Sequence, residues 1–192
     1  MSNMLTDEDD VQFSEPILAQ KGVKIELRTA EKTVWKNKVD GNPYDALKLT
    51  VLITDDSVKT EHADAKPKLV IDHQFNIVAY PYMDKKTSTV KKLGRANLYQ
   101  LETAFGFDPV FTVDGKQVEP YVTKNGNKVA PKTEGVKRVL NPDFYDAYFN
   151  GDNSPKIENW IGKKLLADID VEINEQFGNK NTIARYLKAS EI

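Results

Sequence analysis

Lys164-Leu165-Leu166-Ala167-Asp168-Ile169-Asp170-Val171-Glu172-Ile173 is the stretch that decides the fold. Leu165, Ala167, Ile169, Val171 and Ile173 point one way, while Lys164, Leu166, Asp168, Asp170 and Glu172 point the other. Side chains alternate across a strand, so a period of two marks a half-buried β-strand. The same period recurs upstream. Val23, Ile25 and Leu27 alternate with Lys24, Glu26 and Arg28, and this strand is expected to run on to Trp35. Leu47, Leu49, Val51 and Ile53 follow the turn signal Asp40-Gly41-Asn42-Pro43, which predicts a hairpin. Leu69, Ile71, His73 and Phe75 give a third strand, carried toward Tyr80 and stopped by Pro81. Beyond the deciding stretch, Gln176 to Asn181 reads as a turn, and Thr182 to Leu187 as a closing strand or short helix.

Between the third strand and residue 164 the period changes. Leu98, Leu101 and Phe105 share a helical face, Ala104 widens it, and Gly106 with Pro109 beyond ends it. Residues 107–140, rich in Gly, Pro, Lys and Asn, read as a hairpin-like insertion. Asn141-Pro142 offers an N-cap and a first-turn proline for a short helix. Its aromatics, Phe144, Tyr145, Tyr148 and Phe149, are expected to form the insertion's core, with Trp160 also buried. Three strands, a helix, a variable segment and two more strands make a mainly β chain. That is the order of an OB-fold barrel with its helix between strands 3 and 4 and an insertion at about 107–156. Residues 1–16 are expected to be a disordered acidic terminus, and 17–192 one OB-fold domain.

Composition narrows the chemistry. The 192 residues include no cysteine, which excludes disulfides, thiolate nucleophiles and cysteine-held metals. His62 and His73 are too few for a His-rich metal centre. No apolar run approaches the roughly 18 residues of a membrane span, and MSNMLTDEDD lacks the features of a signal peptide, so the cytoplasm is expected. Walker and Gly-x-Gly-x-x-Gly loops are missing. Asp55-Asp56 and Asp168-x-Asp170 have no third ligand at metal spacing, and Asp168 and Asp170 are expected to face solvent. Asp72-His73 lacks a nucleophile context, and His73 falls on the inward face, as a buried hydrogen-bonded histidine would. No enzyme, cofactor or metal is expected. The net charge of −2 conceals Asp7, Glu8, Asp9, Asp10 and Glu15 in a start without Lys or Arg. Setting those five aside leaves 24 acids against 27 bases, about +3. The acidic start is either a solvated end, a partner-binding tail, or a competitor for the protein's own basic groove.

Gly22-Val23-Lys24-Ile25, the 47–53 strand, Leu93 to Gly106, Trp160-Ile161-Gly162-Lys163-Lys164 and Gly178-Asn179-Lys180-Asn181 together resemble phage-encoded OB-fold single-stranded-DNA-binding proteins. The resemblance covers roughly 22–106 and 157–189; the long insertion at 107–156 departs from it, and the C-terminal Lys188-Ala189-Ser190-Glu191-Ile192 is not the acidic tail familiar in bacterial single-strand binders. It implies non-catalytic coating of single-stranded DNA in phage replication or recombination, in the host cytoplasm. Replication or recombination proteins and a second copy of the chain are the further candidate partners. The alternative is the same barrel used as a protein-interaction module docking on a host or phage protein.

Binding single strands without sequence preference requires cations along the phosphates and flat rings under the bases. The first strand and loop offer Lys24, Arg28, Trp35, Lys36, Lys38 and Tyr44; Trp35 and Tyr44 equally suit packing across a hairpin. Lys85, Lys86, Lys91, Lys92 and Arg95 form the densest basic run, with Tyr80 and Tyr82 beside it, and the run also suits a solvated loop. Phe177, Lys180 and Arg185 surround the last turn.

Overall fold

The computed structural model describes residues 17–36, 41–58, 70–77, 80–83, 90–93, 95–173, 175–176 and 178–189. In chain order these give β1 (Gln20–Lys36), β2 (Pro43–Ile53), β3 (Val70–Asn76), β4 (Tyr80–Met83), β5 (Val90–Leu93) and α1 (Arg95–Ala104). The insertion follows as β6 (Val110–Val113), β7 (Lys116–Val118), β8 (Tyr121–Val122), β9 (Lys128–Val129), β10 (Lys137–Val139) and α2 (Pro142–Tyr148), and α3 (Ile157–Trp160) leads out of it. β11 (Lys164–Glu172) and β12 (Lys180–Leu187) complete the chain.

The principal sheet has the order β12-β11-β1-β2-β3, antiparallel throughout. β1 is its axis. Its first half pairs with β11 (Val23 opposite Ala167) and its longer second half with β2 (Ala30 opposite Leu49). Register shifts between Gln20 and Val23 and between Leu27 and Thr29 bend it, as extra residues in one strand do. Gly22, at φ 67, occupies the first shift in a conformation that side-chain-bearing residues avoid. Its N–H donates to Asp168 Oδ1 at 3.1 Å.

The sheet is not closed into a barrel. Among the described residues no ladder joins β3 to β12, so the expected closure is corrected to an open, mainly β sheet whose two edges approach each other. The inner face is apolar: Val23, Ile25, Leu27, Leu47, Leu49, Val51, Ile71, Leu165, Ala167 and Ile169 are all buried. Leu98 and Leu101 of α1 close one side of this core, and Gly106 ends that helix as expected.

The insertion shares the core. Phe144, Phe149 and Trp160 are buried in the same cluster as the sheet residues, and Phe105 meets Phe144, Tyr148 and Trp160 ring to ring. Trp160 Nε1 donates to the Tyr148 carbonyl at 2.7 Å, which satisfies its buried polar atom. Asn141 caps α2 by accepting from the Asp143 N–H at 2.8 Å. β6 and β7 turn at Asp114 (φ 48) and Gly115 (φ 77), the pair of left-handed residues that a tight hairpin with strand-like twist requires. Glu102 of α1 ties the insertion down: Arg138 Nη2 donates to its Oε1 at 3.0 Å, and the Asn141 N–H to its Oε2 at 2.7 Å.

Three expectations change. Pro81 does not end a strand but lies within β4, which pairs with β5 as a separate hairpin. Lys91 and Lys92 therefore sit on a strand rather than in a loop, opposite Tyr82 and Pro81. Asp168 is not solvent-facing. It stays on the face opposite Ala167 and Ile169, but the Gly22 N–H and the Arg185 guanidinium cover its carboxylate and leave the residue 9% exposed.

Candidate functional site

The two edges of the principal sheet meet side chain to side chain. His73 of β3 and Tyr186 of β12 are hydrogen-bonded at 2.7 Å between Nδ1 and the phenol oxygen. Phe75 packs against the imidazole at 5.2 Å between ring centroids. Burial lowers the His73 pKa to about 4, so the ring is neutral near pH 7. Tyr186 is fully buried, and burial pushes its pKa far up, so its hydroxyl keeps its proton. Two neutral groups thus share one hydrogen bond at the seam.

Beside this bond lies a cleft of about 500 Å³, lined on one side by Trp35, Lys48, Asp72, His73 and Gln74, and on the other by Glu172, Lys180, Asn181 and Thr182. Its walls are braced. Gln74 reaches across β2 to donate to Thr33 Oγ1 at 2.5 Å, and Thr50 Oγ1 donates to Asp72 Oδ1 at 2.8 Å. Buried Asn181 accepts from the Ile17 N–H and donates to the Ile17 carbonyl, both at 2.9 Å, fixing the described chain's first residue beside the cleft. Lys48 faces Asp72 at 3.6 Å, and Lys180 faces Glu172 at 3.2 Å. Solvent-exposed pairs of this kind hold by about 0–1 kcal/mol, so a phosphate can displace either carboxylate at small cost.

Of the residues the sequence singles out, Trp35 and Lys180 line this cleft. Trp35, 38% exposed, stands edge-on to Tyr44 at 6.2 Å, so the pair packs across the hairpin and still presents the indole. Lys36 is exposed at the end of β1, opposite Pro43. The others are dispersed. The backbone N–H of exposed Lys24 donates to Asp55 Oδ2 at 3.2 Å, while Arg28 pairs with Glu26 at 3.4 Å. Arg185 is held by Asp168 through Nε at 3.0 Å and Nη2 at 2.9 Å. Arg95 starts α1 with its Nε buried and unbonded. Tyr80, Tyr82, Lys91 and Lys92 belong to the β4–β5 hairpin, outside the principal sheet. Lys38, Lys85, Lys86 and Phe177 lie outside the described residues.

No family model matches the chain, and no curated protein or solved structure matches it. The site therefore rests on its own geometry.

Lys48, Gln74, Glu172 and Thr182 were not singled out from sequence, and Asp72 entered only in the Asp72-His73 pair that was set aside. Each is a polar residue on a strand, a pattern that reads as ordinary solvent face until strand order brings it to a seam. A second cleft of similar volume lies by the insertion helices, lined by Phe107, Tyr148, Glu158, Ile161 and Lys163 among others. There Lys163 Nζ rests over the rings of Tyr148 and Phe105 at 5.6 and 5.7 Å. Among the described residues no cluster of three or more His, Asp or Glu is placed to hold a metal, and no helix is long and apolar enough to cross a membrane.

Proposed function

We propose that the chain is a non-catalytic single-stranded-DNA-binding protein of OB type, coating exposed strands in phage replication or recombination, with the cleft between β3 and β12 as its groove. The observation that carries this is the cleft itself, where an exposed indole and two lysines line the meeting of the sheet edges. The strand order supports it, since an OB barrel shares its long first strand between both halves and brings its third strand toward its fifth. In this chain those roles fall to β1, β3 and β12. Trp35 stacks on a base, an interaction worth about 1–3 kcal/mol. Lys48 and Lys180 exchange their carboxylate partners for phosphates.

Anisotropy of a labelled oligo-dT, titrated with the full chain at rising salt, tests this. Two phosphate contacts to a single strand give a log–log salt slope near −1.4, so the cleft alone predicts about a sevenfold loss between 50 and 200 mM salt. No binding at micromolar protein in 50 mM salt rejects the proposal. One observation favours the protein-docking alternative: the cleft balances Lys48 and Lys180 against Asp72 and Glu172, and so lacks the cationic excess typical of nucleic-acid grooves.

A further inference from the structure

Within the insertion, β8 and β9 form a two-stranded hairpin that joins no larger sheet. Tyr121 pairs with Val129 and Val122 with Lys128. Tyr121 is 59% exposed, Val122 54% and Val129 39%, and none belongs to the core. The connecting turn is held by its own bonds: the Thr123 N–H donates to the Asn127 carbonyl at 2.9 Å, and the Asn127 N–H to Thr123 Oγ1 at 3.1 Å. A flat ring is thus displayed on a self-supporting arm.

The charges of the 116–137 stretch that carries it differ from those of the cleft. Lys128 is bonded to Asp108. Lys116, Lys124, Lys132 and Lys137 are exposed and make no ion pair among the described residues; Glu119 and Glu134 are the exposed acids of the same stretch, which leaves the lysines in surplus, whereas both cleft lysines have carboxylate partners. We infer that the β8–β9 arm and its lysines form a second contact surface for the same single strand, with Tyr121 stacking on a base and the four lysines meeting phosphates. This rests on the single-strand function proposed above. A polyanion carrying flat bases complements an exposed ring on a stretch with a surplus of cations. The apolar surface, one tyrosine and two valines, is small against the roughly 1,200–2,000 Å² that a stable protein interface buries.

Four more phosphate contacts steepen the salt slope from about −1.4 to about −4.2, which turns a sevenfold loss between 50 and 200 mM salt into one of about 300-fold. The experiment uses the full chain with labelled oligo-dT across that range, comparing the wild type, Tyr121→Ala and the double variant Lys124→Ala/Lys132→Ala. Tyr121→Ala is expected to weaken binding about 5- to 150-fold. The double variant is expected to flatten the slope by about 1.4. All three should melt together, since the altered side chains are exposed. If the wild type binds and both variants match it in affinity and slope, the arm is rejected while the cleft proposal stands. If the wild type does not bind, both fall. If sedimentation shows Tyr121→Ala separating a dimer while leaving oligo-dT affinity unchanged, the arm is a contact between copies and the inference is overturned.

Discussion

His73 of β3 and Tyr186 of β12 stand 2.7 Å apart, joined by a hydrogen bond where the backbone ladder is missing. The bond needs a neutral imidazole, and burial supplies that condition by lowering its pKa from 6.5 to about 4. Because the folded value lies below the unfolded one, the stability it contributes is complete above about pH 6.5 and is lost as pH falls through 4. The full effect is roughly 3 kcal/mol. Asp72 and Glu172 line the same cleft, so the decisive comparison is with His73→Gln. Urea midpoints between pH 7 and 4 should fall less steeply for the variant than for the wild type.

Glu102 is fully buried, with Arg138 and the Asn141 N–H on its two oxygens. Glu102→Ala should cost about 3 kcal/mol, the low end for a broken buried pair, because Arg138 keeps access to water and rests over Tyr99. A double-mutant cycle with Arg138→Ala should show coupling above about 0.5 kcal/mol. Burial raises the Glu102 pKa, so its contribution to stability is present at acid pH and declines as pH rises through the folded value, opposite in sign to that of His73.

Trp35 touches Tyr44 edge-on while remaining partly exposed. Trp35→Ala should weaken oligo-dT binding by about 1–3 kcal/mol. Its stability cost should be only about 1 kcal/mol, the scale of one aromatic pair. Lys36→Ala serves as the charge-only control. A Trp35→Ala variant that melts much lower yet binds normally in its folded fraction would remove the stacking role.

Ile17 is clasped by Asn181, a residue of the cleft wall, while the five acids of residues 1–15 lie outside the described residues. Deleting 1–15 removes five negative charges and should tighten oligo-dT binding, more at 50 than at 200 mM salt. Equal affinities at both salts would reduce the segment to a solvated end.

Local periodicity carried far in this chain. The strands at 20–36, 43–53 and 164–172, the helix ending before Gly106 and the Asn141 cap all follow from patterns within a dozen residues. Pro81 misleads because in a two-stranded hairpin every strand is an edge, where a missing N–H is tolerated. The segment at 182–187, ambiguous alone, becomes a strand through pairing with β11. Asp168 keeps its place in the alternation but is covered, because the Gly22 N–H and Arg185 of the two flanking strands both reach its carboxylate. The cleft was the least legible part. Gln74 and Thr182 line one cleft only because β3 and β12 become opposite edges, a relation no local window contains.

The long β1 also sets a timetable. Its partner β2 emerges next, but Gly22 and Asp168 are separated by 146 residues. At about 5–20 residues per second, β1 waits roughly 7–30 s on the ribosome with one flank unpaired before β11 exists. Nascent-chain solubility, more than final stability, is therefore where the outward charges Lys24 and Glu26 of that flank earn their place.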